Sequence, residues 1–238
     1  MSKVFQDKMH VQGGDIIRQI VMGMNDGVVS VLSILAGIVG ANQPPKVVLL
    51  TLLAATIAGA MSMAAGEFLS GKSERDYHRN EIARERVEIL LIPEFEKDEI
   101  RRIYQKKGFS GDLLEQSVDQ VTQDKDLWVR EMVADELGLA NLEEEKILKG
   151  ILIIFGSFIL GAMFPTLPYI ILSQTLSSYT TFEISAGITF CGLFVVGALK
   201  KFITGAYWLK SGIEMVLVGA FAFGVTYVFG LLVGGGIG

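Results

Sequence analysis

The chain has 238 residues, half of them hydrophobic, with 27 glycines and a mean hydropathy of +0.45, values above those of ordinary soluble domains. Its formal net charge of −5 is unevenly spread, because residues 71–145 hold 20 of the 26 acidic residues against 12 basic ones. This local charge of −8 repels nucleic-acid phosphates and attracts cations. The composition therefore indicates a membrane protein with an acidic insert, argues against a nucleic-acid partner and favours a soluble cation.

Polar N-terminal residues precede five apolar runs. The stretch MSKVFQDKMHVQGGD has no apolar region followed by a cleavage site, so no signal peptide is predicted. Each later run is long enough to cross about 30 Å of hydrocarbon. The runs are Ile20–Val39, Val47–Leu69, Ile147–Leu172, Phe182–Ile203 and Ile213–Val233.

Five spans place the termini on opposite sides of the membrane. Basic residues cluster before span one and between spans four and five, so the positive-inside rule predicts a cytosolic N-terminus and insert.

The predicted fold is an all-α membrane protein with five transmembrane helices and a cytosolic insert of three to four helices between spans two and three. Its domains are spans one and two in residues 1–70, a folded acidic subdomain in 71–145 and spans three to five in 146–238. Glycines recur within the spans, where small residues let helix backbones approach closely. This pattern favours a tightly packed bundle and a homodimer.

Asp26 is the ionisable residue inside span one, where a charge is costly and marks a pathway or a partner. It follows Arg18 by eight residues, and Met63 in span two precedes Lys72 by nine, so both lie roughly 12–14 Å from the cytosolic edge. Met22, one turn before Asp26, could join this oxygen and sulfur pair. The alternatives are that Asp26 caps a break in the helix and that Met63 faces lipid or the core.

Glu67 lies near the cytosolic end of span two. It is a candidate for ion entry, and an interfacial acid whose carboxylate reaches water is the alternative.

Charged residues continue span two to about Leu91, and Pro93 then predicts a break before the next insert helix. Glu81, Glu85 and Glu88 share one helix face by their spacing, as do Glu96 and Glu99, and later Met132 and Glu136. Carboxylates with one thioether suit a divalent transition ion such as iron(II) or manganese(II). Interspersed arginines support the alternative of a solvated, salt-bridged surface.

Spans three to five carry little chemistry. Pro165 and Pro168 mark the outer end of span three, and Cys191 in span four is interpreted as a small core residue. A single cysteine also excludes an intramolecular disulfide and a cysteine-based zinc site. The motifs of serine hydrolases, zinc proteases and phosphate-binding loops are missing, and no Glu-x-x-His pair of a di-iron oxidase occurs.

The sequence resembles the vacuolar iron transporter family over essentially its whole length. The stretches that carry the resemblance are GDIIRQIVMGMNDGVVSVLSILAGIVGA, GAMSMAAGEFLSGKSERDYHRNEIARERVEIL, IPEFEKDEI and WVREMVADELGL. The resemblance implies five-span subunits in a homodimer, with a cytosolic metal-binding domain on an extended second helix. It also implies movement of iron(II) out of the cytosol, into a vacuole or across the cell envelope, in exchange for protons.

By the same resemblance, the membrane ligands of the family fall on Asp26 and Met63. Its metal-domain ligands fall on Glu85, Glu88, Glu96, Glu99, Met132 and Glu136. Two positions depart from the pattern of plant members: Val133 replaces a second methionine and Ala55 replaces an acidic residue in span two. The first bears on sulfur-based affinity and the second on the proton path, for which Glu67 is the available substitute.

The resulting hypothesis is a non-enzymatic transporter that exports iron(II) or manganese(II) by proton antiport. A membrane-bound ferroxidase and a membrane-anchored metal sensor are the alternatives. Metal ions, protons, the bilayer and a second copy of the chain are the expected partners. No permanent cofactor is expected, and zinc is a further ion that the cytosolic domain could bind. The location is a plasma membrane in a prokaryote or a vacuolar membrane in a eukaryote, with the C-terminus opposite the cytosol.

Overall fold

In a computed structural model, residues 14–136, 144–201 and 207–236 are described, and they form eight α-helices and no strand. The helices are α1 (Gly14–Gly40), α2 (Pro45–Leu91), α3 (Pro93–Lys106), α4 (Gly111–Gln123), α5 (Lys125–Glu136), α6 (Glu144–Leu172), α7 (Ser178–Leu199) and α8 (Trp208–Gly236). Five of them, α1, α2, α6, α7 and α8, are long and apolar enough to cross a membrane. The prediction of an all-helical protein with five spans is therefore confirmed.

The chain divides into two compact units. One comprises Met1–Phe68 with Leu148–Gly238 and contains the spanning segments, and the other is Leu69–Ile147. Helix α2 has residues in both units, because its apolar first half continues without interruption into a charged second half that ends at Leu91. Pro93 then begins α3, since proline is tolerated in the first turn of a helix but not in its interior. The predicted continuation of span two and its end before Pro93 are both confirmed.

Glycines set the distance between helices of the spanning unit. A Cβ atom at Gly27 of α1 would lie 2.2 Å from the carbonyl oxygen of Phe158 in α6, and one at Gly161 would lie 2.2 Å from the carbonyl oxygen of Met24. At the other end of α1, a Cβ at Gly230 of α8 would lie 2.0 Å from the carbonyl oxygen of Gly37. Only hydrogen fits at such contacts, so α1 packs backbone to backbone against α6 and α8.

Phe158 connects this contact to α2. Its side chain is 2% exposed. Its ring fills the space beside Gly59 of α2, where an added Cβ atom would lie 2.2 Å from Phe158 Cζ. Around it lies a buried apolar cluster drawn from four spanning helices, which includes Val31, Leu52 and Tyr169. Helices α1, α2 and α6 are thereby fixed in one register.

Three details differ from expectation. Helix α6 continues through Pro165 and Pro168 to Leu172, and the Ser185 hydroxyl donates to the carbonyl oxygen of Pro165 over 2.6 Å. Cys191 is exposed rather than part of the core, because its position on α7 faces away from the neighbouring helices. Span four was expected to reach Ile203, but α7 ends at Leu199, and Ile203 lies outside the described residues.

The second unit is a small bundle formed by the end of α2 with α3, α4 and α5. Its core is apolar and contains Ile89, Ile100, Leu114, Val118, Val121, Trp128, Val129, Met132 and Val133. Gly108 ends α3 with a φ of +96°, a conformation that glycine adopts without steric cost. This unit therefore has its own hydrophobic core.

We expect Gly27→Ala to destabilise the spanning unit by about 1–3 kcal/mol, because the added methyl group would overlap the Phe158 carbonyl group. Thermal unfolding of purified protein in detergent measures the effect. Gly224→Ala is the matched control, since a Cβ there meets nothing within 4 Å. Equal melting temperatures for the two variants would contradict the close contact between α1 and α6.

Candidate metal-ion site

A hydrogen bond joins the first two spanning helices. Gln19 Nε2 of α1 donates to Glu67 Oε1 of α2 over 2.6 Å, in a partly buried position. Helix α6 closes this point from a third side, because a Cβ at the buried Gly150 would lie 2.7 Å from Gln19 Nε2 and 2.9 Å from Glu67 Oε1. Three helices thus meet at one carboxylate.

This contact sets the relative depth of Asp26 and Met63. Asp26 follows Gln19 by seven residues, about 10 Å along α1, and Met63 precedes Glu67 by four, about 6 Å along α2. Residues at these spacings share a helix face with Gln19 and with Glu67, respectively. Because α1 and α2 run in opposite directions along the chain, both steps lead the same way from the shared contact. Asp26 and Met63 therefore lie within about one helical turn in depth.

Asp26 lies in the middle of a continuous helix. Helix α1 runs from Gly14 to Gly40, so the alternative that Asp26 caps a break is wrong. Its Oδ1 accepts a hydrogen bond of 3.1 Å from the hydroxyl of Ser30, one turn further along. Beside it, the Oδ1 atom of Asn25 is buried and accepts no hydrogen bond from any described residue. A carboxylate and a neutral amide oxygen, both able to contact a cation or water, thus occur together inside span one.

The other candidates in the spanning unit differ in exposure. Met63 is partly buried and packs against the apolar cluster around Phe158, whereas Met22 is 55% exposed on the single chain. Ala55 is partly buried and supplies no polar group. The alternative of Met63 as a core residue agrees with its packing, and a role as ligand stays a prediction.

Three buried side chains of the insert combine carboxylate and thioether chemistry. Glu85 of α2 is 4% exposed, Glu96 of α3 is 3% exposed and Met132 of α5 is 1% exposed. Met132 belongs to the apolar core, and Glu85 and Glu96 precede the core residues Ile89 and Ile100 by one turn. Burying a carboxylate is costly unless a cation, a metal ion or hydrogen bonds compensate for the lost water. These two glutamates are therefore distinct from the surface acids of the insert.

The other candidate glutamates of the insert have surroundings different from those of Glu85 and Glu96. Arg84 lies 3.1 Å from Glu81 and 3.6 Å from Glu88, and these contacts agree with the alternative of salt-bridged acids. A role of either glutamate as a metal ligand stays a prediction. Glu99 is partly buried, and Glu136 ends α5 with a side chain outside the described part. Among the side chains that are described, no three histidines, cysteines or carboxylates come close enough to hold a metal ion. The predicted ligand set of the insert therefore stays a prediction.

Sequence reasoning missed Gln19, Ser30 and Gly150. Ser30 follows Asp26 by four residues and Gln19 precedes it by seven, so a search for polar residues on the face of Asp26 would have found both. No sequence pattern identifies Gly150, because its position beside Gln19 and Glu67 depends on how α6 packs against α1 and α2.

Ion pairs join the helices of the insert. Arg101 of α3 donates to both carboxylate oxygens of Glu115 in α4, over 2.9 Å and 3.1 Å. This bond raises the pKa of Arg101 and lowers the pKa of Glu115 below its ordinary value of 4.5. Similarly, a hydrogen bond to Asp135 raises the pKa of Lys107. These exposed acids are neutralised by protein cations rather than left for a metal ion.

The fold and these residues define a class: a helical integral membrane protein with a carboxylate inside its first span and a separate acidic bundle. Within that class, the chain belongs to the VIT family, whose model matches residues 17–231.

Relatives align over most of both chains. Vacuolar iron transporter 1 of Oryza sativa subsp. japonica is 32% identical, covering 92% of this chain and 85% of the relative. Vacuolar iron transporter 1 of Arabidopsis thaliana is 31% identical, covering 92% and 86%. The vacuolar iron transporter of Plasmodium berghei (strain Anka) is 31% identical, covering 94% and 84%. Since these relatives are named as transporters, the comparisons support the prediction that the chain is not an enzyme.

The bond between Arg101 and Glu115 predicts a pH-dependent stability of the insert. The pKa of Glu115 is lower in the folded protein than in the unfolded chain. Its bond to Arg101 therefore stabilises the folded insert above pH 4.5, and this stabilisation is lost as the pH falls through the pKa of Glu115 in the folded protein. Glu115→Gln should lower the melting temperature slightly at pH 7 and not at all below the folded pKa. Fluorescence of Trp128 in a Trp208→Phe background measures this unfolding in the full chain. Glu74→Gln, at an exposed acid of α2, is the control, and a pH-independent difference would contradict the assignment.

Proposed function

We propose that the chain exports a divalent metal ion from the cytosol in exchange for protons, with iron(II) as the first candidate and manganese(II) as the second. The observation that carries this proposal is the carboxylate of Asp26 inside a continuous spanning helix, within about one turn in depth of Met63. Relatives named as iron transporters support metal transport as the activity.

The chemistry of the pair fits such a cargo. A carboxylate is a hard ligand and a thioether a soft one, a combination that suits iron(II) or manganese(II) better than calcium or magnesium. The hydroxyl of Ser30 donates to Asp26 without neutralising its charge, so the carboxylate keeps its attraction for a cation or a proton. Protonation removes that charge, and binding of one competes with binding of the other. Competition of this kind can couple outward metal movement to inward proton movement.

The proposal includes an orientation and an assembly. Basic residues before span one and between spans four and five favour a cytosolic N-terminus and insert. A homodimer would place two copies of Asp26 near one pathway. The relatives named as vacuolar transporters favour a vacuolar membrane in a eukaryote, and a plasma membrane is the counterpart in a prokaryote.

The insert would collect the ion before transport. Glu85, Glu96 and Met132 are nearly removed from water. The further ligands predicted for this domain are Glu88, Glu99 and Glu136, with Glu81 as a possible addition. A domain charge of −8 raises the local concentration of cations around these residues. Zinc is a further ion that these ligands could hold.

We expect Asp26→Asn to reduce iron(II) uptake at least 100-fold in liposomes with an acidic lumen. The amide of asparagine carries no negative charge to attract the metal ion, and it cannot bind and release a proton. Glu183→Gln is the matched control, since it removes an exposed carboxylate from another spanning helix, and it should leave uptake unchanged. Iron(II) uptake is measured with a luminal chelating dye.

Two outcomes would contradict the proposal. Normal uptake by Asp26→Asn would remove Asp26 from the mechanism. Metal binding without any uptake by the wild-type protein would instead favour a membrane-anchored metal sensor.

Met132→Leu tests the role of sulfur in the insert. Leucine keeps the volume and apolar character of this core position, so the melting temperature should change little. We expect the manganese(II) affinity of the full chain, measured by electron paramagnetic resonance, to fall about threefold to tenfold. Met215→Leu is the control, because Met215 is a buried methionine of the spanning unit. Equal affinities for the two variants would exclude Met132 as a ligand.

A further inference from the structure

We infer that Gln19 is a positioning residue for ion entry, which holds the Glu67 carboxylate on the approach to Asp26 and Met63, and that Gly150 keeps this hydrogen bond in place. The inference rests on the proposed function, because it assigns a role in the same pathway. It adds the carboxylate–amide contact between Glu67 and Gln19, at the point where α1, α2 and α6 meet, to the pair of Asp26 and Met63.

The geometry separates Glu67 from an acid that simply reaches into water. Its carboxylate is partly buried and accepts a hydrogen bond of 2.6 Å from the side-chain amide of Gln19. Such a bond restricts the rotamers of a long side chain, and a charge-assisted bond is stronger than one between neutral groups. A snorkelling glutamate would remain free to follow solvent. Glu67 is instead held at one position within the bundle.

The chemistry of the donor is equally important. A lysine or arginine at position 19 would neutralise Glu67, whereas an amide donates a hydrogen bond and leaves the negative charge intact. Only Oε1 is engaged by Gln19, so Oε2 remains able to contact a cation. The arrangement thus fixes a carboxylate without neutralising it, as a cation-binding group requires.

Gly150 supplies the space for this contact. A side chain at this position would come within 2.7 Å of Gln19 Nε2 and 2.9 Å of Glu67 Oε1 at its first carbon atom, closer than carbon atoms normally approach polar atoms. Both neighbours are ends of flexible side chains, so an added methyl group would separate them rather than unfold the helices.

The position of Glu67 places it before the pair in the pathway. It follows Met63 by one turn on the same face of α2, and Gln19 lies two turns before Asp26 on the same face of α1. In the proposed orientation, an ion from the cytosol meets Glu67 first, then Met63, then Asp26, over about 10 Å. Each step replaces part of the hydration shell by a protein ligand.

The experiment compares Gly150→Ala with Gly156→Ala, two substitutions in the same helix. A Cβ at Gly156 meets nothing within 4 Å, so this variant controls for the change from glycine to alanine. Initial rates of iron(II) uptake into liposomes with an acidic lumen give KM and the maximal rate separately. We expect Gly150→Ala to raise KM roughly fivefold to tenfold, with a maximal rate within twofold of wild type, and Gly156→Ala to match wild type.

A double-mutant cycle tests whether Gln19 acts through Glu67. Gln19→Leu removes the donor without a steric clash, and it should raise KM about as much as Gly150→Ala. Glu67→Gln should raise KM further, and adding Gln19→Leu to it should have no additional effect. A merely structural role of Gln19 would give additive effects.

The outcomes separate this inference from the proposed function. Uptake by wild type with equal KM values for Gly150→Ala and Gly156→Ala, or with additive effects in the cycle, would overturn the role of Gln19 and leave metal transport standing. A wild-type protein without uptake would overturn the proposed function and, with it, the entry step.

Discussion

The close contact between α1 and α6 at Gly27 and Gly161 is the constraint on which the spanning unit depends. Backbone carbonyl oxygens of the facing helix lie at the Cβ positions of these two glycines, so α1 cannot slide or rotate relative to α6. Phe158 extends the same register to α2 by filling the space at Gly59. The bond between Gln19 and Glu67 and the matched depth of Asp26 and Met63 follow from that register. Packing of small residues thus determines where the polar groups of the bundle meet.

Charge is handled differently in the two units. In the insert, Glu115 and Glu81 are paired with arginines, and Glu85 and Glu96 are buried near the core. In the spanning unit, Asp26 and Glu67 are held by the neutral donors Ser30 and Gln19. A neutral donor orients a carboxylate and preserves its charge, whereas an arginine also neutralises it. This difference distinguishes groups suited to a mobile cation from groups that stabilise a fold.

Local patterns predicted most of the fold. Apolar length identified the five spans, and Pro93 identified the end of the long second helix, because both signals act within one segment. Which face of a helix meets its neighbours was not accessible in the same way. The exposure of Cys191, the separation of Glu85 from Glu81 and Glu88, and the contact at Gly150 all depend on tertiary packing. Asp26 was accessible from sequence because a carboxylate in an apolar run is costly wherever it points.

If metal and proton movements are coupled at one carboxylate, the two fluxes occur together, and simultaneous recording of both measures this coupling. Liposomes with an acidic lumen would contain a pH-sensitive dye and a metal-sensitive dye. We predict that added iron(II) enters while the luminal pH rises in proportion, and that a protonophore abolishes both signals together. Metal entry with an unchanged luminal pH, or entry that persists after the proton gradient has collapsed, would contradict coupling between the metal ion and protons.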